Sequence, residues 1–165
     1  MIHPSFFYHA GMKRAELLAF LRTHKLAVQA SVSARSAPQA AVVGIAVTDD
    51  LEIVFDTLDT TRKHRNLAKN RRIAFVIGGL TPGDERTVQY EGVADLPRGA
   101  ELARLKRAYF EVYPDGRDRE KWPGISYVRA RPRWIRYSDF DKNPPEIVEL
   151  DAPALRVGRA RSLRR

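Results

Sequence analysis

The stretch Phe55-Asp56-Thr57-Leu58-Asp59-Thr60-Thr61-Arg62-Lys63-His64-Arg65-Asn66-Leu67-Ala68-Lys69-Asn70 decides how this chain is read. A strand leaves through hydroxyl residues and enters a short helix over 61–70. The first turn of that helix carries Arg62, Lys63 and Arg65. The N-terminal end of a helix holds partial positive charge, so exposed cations there cost roughly 0.3–1 kcal/mol each. A bound anion reverses that sign. Backbone N–H groups, Thr hydroxyls and two cations at a helix N-terminus make a candidate phosphate site. Solvated helix residues give the same pattern without a ligand, and Thr61 is an N-cap in either case.

Working outward, residues 12–24 read as an amphipathic helix with Leu17, Leu18, Phe20 and Leu21 on one side. Strict alternation follows: Leu26, Val28, Ala30 and Val32 against Ala27, Gln29, Ser31 and Ser33, a half-buried strand. Residues 39–47 form a strand that is apolar on both faces; the small residues on one face either let a flat group approach the backbone or pack on a helix or a second subunit. Asp49-Asp50 turns it into a strand over 51–57. After the short helix come a strand over 72–78, a turn at Thr81-Pro82-Gly83-Asp84 and a strand over 86–95. A helix from Arg98 to Tyr113 and a polar loop over 115–124 precede a last strand over 125–138, interrupted near Pro132. Consecutive short strands of this number close into a barrel, so the fold class is mainly β (α+β). One domain is expected over 1–150, with a flexible basic tail over 151–165.

With 165 residues, the chain is long enough for a full core. No apolar run reaches a membrane span, no signal peptide is read at the N-terminus, and there is no cysteine. A cytoplasmic protein without disulfides or thiolate metal sites is expected. Net charge is +9, but residues 156–165 hold five arginines and no acid; the other 24 basic residues face 20 acidic ones. The excess therefore sits in the tail (Arg156, Arg159, Arg161, Arg164, Arg165), and the aromatic and basic interleaving of a nucleic-acid groove is missing. His3, His9, His24 and His64 are too scattered for a metal site. No Ser-His-Asp set, paired-carboxylate motif or Gly-rich phosphate loop is present.

With its elements placed, the chain resembles the pyridoxamine 5′-phosphate oxidase-like family, the FMN-binding split barrels, over about residues 11–138. The residues that carry the resemblance are Thr57, Thr61, Arg62, Lys63 and Asn70, then Ile73-Ala74-Phe75-Val76, Val88-Gln89-Tyr90-Glu91-Gly92-Val93-Ala94 and Pro132-Arg133-Trp134-Ile135-Arg136-Tyr137. The resemblance implies a six-stranded antiparallel split β-barrel with short flanking helices. It also implies a homodimer with FMN at the interface. Thr57, Thr61, Arg62 and Lys63 would hold the FMN phosphate, with Asp56 beside them. Backbone around Ala41, Val42 and Val43 would meet the ring, and Trp134 or Arg136 would reach it from the partner subunit.

Departures from the family pattern bear on the substrate. True pyridoxamine phosphate oxidases carry Arg and Lys where this chain has Ala41 and Ala46, and Gln at Thr87. Around their vitamin-phosphate site only Tyr109 is matched, and their Arg-x-His near the C-terminus is missing here. The resemblance therefore implies a flavin-dependent oxidoreductase acting on another small molecule, not a pyridoxamine phosphate oxidase. The alternative is a sensor or carrier barrel for a flavin, a deazaflavin or haem, with Arg129, Arg131, Arg133 and Arg136 as a basic groove for an anionic tail.

Overall fold

The computed structural model describes residues 12–155. In chain order the elements are α1 (Arg14–Thr23), β1 (Leu26–Val32), β2 (Pro38–Gly44), β3 (Ala46–Val47), β4 (Ile53–Leu58), α2 (Arg62–Lys69) and β5 (Arg72–Gly78). Then follow β6 (Arg86–Asp95), α3 (Gly99–Val112), α4 (Gly116–Arg119), β7 (Ile125–Asp139), β8 (Glu146–Asp151) and α5 (Ala152–Leu155).

All strands belong to one antiparallel sheet in the order β2-β1-β5-β6-β7-β4-β3, with β8 added to β7. The strand expected over 39–47 breaks at Ile45, whose N–H donates to Lys25 O at 2.8 Å. Before the break the chain pairs with β1; after it, with β4. One run of chain therefore supplies both ends of the sheet, and the sheet curls into the expected six-stranded split barrel. β7 holds the other seam. Its first half pairs with β4 and its second half with β8, while β6 runs along the opposite edge. The irregularity expected near Pro132 is a bulge opposite Glu91/Gly92. Gly92 is required there, because a Cβ would sit 2.6 Å from the Arg131 carbonyl oxygen.

The barrel interior is filled by alternate residues of each strand. Phe55, Phe75 and Tyr90 meet edge to face, with ring centroids 6.0 and 5.6 Å apart, each such pair contributing about 0.5–1.5 kcal/mol beyond area burial. The Tyr90 hydroxyl is buried 2.8 Å from Ala130 O and 3.1 Å from Leu51 O. A second cluster lies outside the barrel wall, where Leu105, Tyr109 and Phe110 of α3 cover Ala46, Val54 and Tyr127.

Periodicity separates the two faces of β1, and the structure buries the more polar one. Ala27, Gln29 and Ser31 point inward, while Leu26 is 60% exposed. The inward polar groups are matched in part: Asn66 on α2 donates to Gln39 Oε1 at 2.9 Å and lies 3.1 Å from Ser31 Oγ. This buried contact fastens α2 across β1 and β2. The outward face carries two cross-strand rows, Val42–Val28–Val76 and Ala40–Ala30–Ala74.

Three elements, α4, β8 and α5, are additional to those expected. Leu155 of α5 is buried in the main core, so packing continues past residue 150. The basic stretch 156–165 and the apolar Phe6-Phe7-Tyr8 lie outside the described residues. Among the described residues, no helix is long and apolar enough to cross a membrane.

Candidate functional site

The corner between β4 and α2 follows the sequence closely. β4 runs to Leu58, Thr61 caps the helix, and α2 begins at Arg62. Thr61 Oγ1 accepts from His64 N at 3.3 Å, lies 2.8 Å from Leu58 O and stands 2.9 Å from Thr57 Oγ1. With Thr61 donating to Leu58, Thr57 donates to Thr61. The Thr57 proton is then the one that can turn to a ligand. Arg65 N–H is taken by Thr61 O. The N–H groups of Arg62 and Lys63 stand in the first turn, where a helix offers no partner of its own.

No acidic residue occupies that first turn. Arg62 is exposed and Lys63 half-buried. Neither makes an ion pair among the described residues, whereas Arg22, Arg86, Arg104, Arg119, Arg129, Arg131 and Arg136 all do. The corner thus combines a hydroxyl pair, two free backbone donors and two unanswered cations, a set suited to an oxyanion.

Asp56 adjoins this set but is engaged elsewhere. Its carboxylate accepts from Arg119 Nε at 2.9 Å, and Arg119 also bonds Asp115. The segment bearing α4 is fastened a second time beyond Thr57, where Asp59 N–H donates to Gly124 O at 2.9 Å. Gly124 has φ +77°, and a Cβ there would lie 2.4 Å from Asp59 Oδ1. The polar stretch 115–124, expected as a loop, braces the corner without a local sequence signal, because Arg119 and Asp56 are far apart in the chain.

The remaining candidates divide between two faces. Ala41 and Val43 lie on the inward-facing side of β2, in register with Gln29 and Ala27, and Val42 lies on the outward one. The outward rows continue across the sheet: Val76 aligns with Gln89 and then Arg136, Ala74 with Glu91 and then Trp134. Val42, Trp134 and Arg136 therefore share a face. Trp134 is eight residues along β7 from Ser126, the partner of Thr57. At about 3.3 Å per residue this is roughly 26 Å of strand. One protomer does not bring Trp134 to the β4–α2 corner.

The arginines considered as a basic groove are largely committed. Arg129 holds Asp95 at 2.7 Å and Glu101 at 2.9 Å, Arg131 reaches Asp95 at 3.1 Å, and Arg136 stands 3.5 Å from Glu149. Hydrogen bonds from Arg129 hold the Asp95 carboxyl below its ordinary value. Ala46 is buried in the cluster beneath α3 and carries no cationic side chain of the kind the family pattern has there. Tyr109, matched to a family tyrosine, is also buried in that cluster, and its hydroxyl lies 3.4 Å from Arg119. Burial pushes its hydroxyl well above the usual tyrosine value.

The family model described as pyridoxamine 5′-phosphate oxidase matches residues 14–139. No curated protein matches the sequence. Among solved structures, a haem-binding protein from Mycobacterium smegmatis is similar at 19% identity and a TM-score of 0.74, covering 89% of this chain. The match spans 61% of that protein's length, under two thirds of it. The conserved hypothetical protein Rv2991 from Mycobacterium tuberculosis is 25% identical with a TM-score of 0.66, over 81% of this chain and 90% of its own. HutZ, the haem storage protein from Vibrio cholerae, is 16% identical with a TM-score of 0.62, over 72% of this chain and 89% of its own.

Proposed function

The chain belongs to the pyridoxamine 5′-phosphate oxidase family, and from that premise we propose that it is an FMN-binding flavoprotein. The observation that carries the reading is the pair Arg62 and Lys63, without anionic partners among the described residues, beside the Thr57–Thr61 hydroxyls. These four residues would hold the phosphate. When bound, FMN supplies hydride or electron transfer to a small organic acceptor, and the protein supplies binding, orientation and electrostatics. The chain around Ala41, Val42 and Val43 would offer backbone to the ring.

A homodimer completes the reading. Leu26, Val42 and Val76 expose an apolar sheet face, and a second copy laid on it would bury that surface. It would also carry Trp134 or Arg136 toward the cofactor, in keeping with the roughly 26 Å of strand between Trp134 and the β4–α2 corner within one protomer. Alanines at 41 and 46 and the missing Arg-x-His disfavour turnover of a vitamin phosphate.

Protein purified without added cofactor, then titrated with FMN, should show flavin absorption and saturable uptake. Colourless protein with no FMN uptake ends the proposal. Replacing Arg62 and Lys63 together by Ala removes charge-assisted contacts of about 1.5–3 kcal/mol each, so FMN should bind roughly 100-fold more weakly or worse. Haem is the second reading, favoured by the names of the M. smegmatis and V. cholerae proteins. A Soret band with no FMN uptake would select it.

A further inference from the structure

Between α2 and the end of β6 lies a cavity of about 470 Å³, within the range that takes small organic ligands. Leu67 and Ala68 of α2 and Ala94 and Leu96 at the end of β6 give it an apolar wall. Leu96 is 47% exposed, an apolar side chain left to water on that wall. His64, Arg71 and Arg98 also line the space. None of Thr57, Thr61, Arg62 and Lys63 lines it; the cavity adjoins the phosphate corner through His64, whose N–H donates to Thr61 Oγ1.

Asp95 is the acidic residue of this lining, and it is already neutralised. Arg129 binds it twice, at 2.9 and 2.7 Å, and Arg131 stands at 3.1 Å. Arg71 exerts only a weaker, more distant pull on it. Arg71 and Arg98 therefore face the cavity without an ion-pair partner among the described residues. An apolar wall bordered by two unanswered guanidiniums is complementary to a molecule with an apolar body and a carboxylate, since guanidinium takes carboxylate in a two-pronged pair.

We propose that this cavity is a second ligand site, which binds a small aryl carboxylate with its ring on Leu67, Ala68, Ala94 and Leu96 and its carboxylate on Arg71 and Arg98. His64, which lines the same space, offers a ring N–H to that head group. The site does not depend on which cofactor occupies the corner.

Calorimetric titration of the full chain with 2-naphthoate tests this, with 2-naphthylmethanol as the uncharged control. Saturable naphthoate binding is expected, tighter than the alcohol by about tenfold or more. The double variant Arg71→Gln, Arg98→Gln should lose that difference. Ala68→Phe, at an exposed position on α2, should fill the cavity and abolish binding of both probes. Both variants should keep wild-type circular dichroism. No saturable binding of naphthoate to the wild-type chain overturns the proposal. So does equal affinity for acid and alcohol, or insensitivity to both variants. Displacement of naphthoate by FMN also overturns it, because the cavity would then be part of the phosphate corner.

Discussion

Arg129 on β7 and Arg62 on α2 stand in the same basic chain in opposite company. Arg129 has a side chain 11% exposed and touches Asp95, Glu101 and Glu52, the last itself 9% exposed. Arg104 adds a second cation to Glu52 and Glu101. This network ties β6, β7 and α3 to the segment before β4, and each charge in it is answered. Arg62 is exposed at a helix end where its charge is unfavourable, with no acid in the turn. The contrast separates cations that serve the fold from the cations to which the proposed phosphate site is assigned.

The largest expected effect falls on the network. Arg129→Met leaves Glu52 and Asp95 short of a partner in a half-buried setting and should cost about 3 kcal/mol of stability. FMN affinity, measured on the remaining folded protein, should stay the same. Removing Arg62 and Lys63 should do the reverse, with stability within about 0.5 kcal/mol of wild type while FMN binding collapses. Equal losses of stability from both variants would dissolve the distinction.

Gly124→Ala tests the brace between the two regions. The positive φ and the neighbouring Asp59 carboxylate should make it destabilising by about 1–3 kcal/mol. FMN should also bind more weakly, because the same segment holds the turn after Thr57. Denaturant unfolding and FMN titration on one preparation read both.

The smallest effect is one of pH. Asp95 has a folded value below its ordinary 3.8, chiefly through its hydrogen bonds to Arg129. Its contribution to stability is fully present above the unfolded value and is lost as pH falls through the lower folded value. Asp95→Asn should therefore be less stable than wild type at neutral pH, with the gap closing in acid. Urea unfolding across the acid range checks this, and a gap that widens as pH falls refutes it.

The corner from Phe55 to Asn70 was legible because its signals are local: a cap, a helix turn and a strand end within sixteen residues. The barrel was legible from strand number and hairpin turns. The inward face of β1 was not, because alternation distinguishes two faces without saying which meets the core. There Asn66 satisfies inward Ser31 from another element. β8 hid behind a weak pattern: Glu146–Asp151 has no polar-apolar alternation, and its burial is near uniform. The four-residue α4 is held by Arg119 and backbone contacts rather than by an apolar stripe.

The seam between β4 and β7 has a further consequence, in time rather than in space. Ile53 of β4 pairs with Ala130 of β7, and Phe55 with Val128. Ile53, Val54 and Phe55 are each 0% exposed in the finished fold. As the chain is synthesised, this apolar strand emerges long before the partner that covers it, with β5, β6 and α3 still to be made. Non-local pairings of this kind fold slowly, and chains of this length expose aggregation-prone surface while they wait. The growing polypeptide is most vulnerable in that interval, and substitutions that delay β7 should lower the yield of soluble protein more than the stability of what does fold.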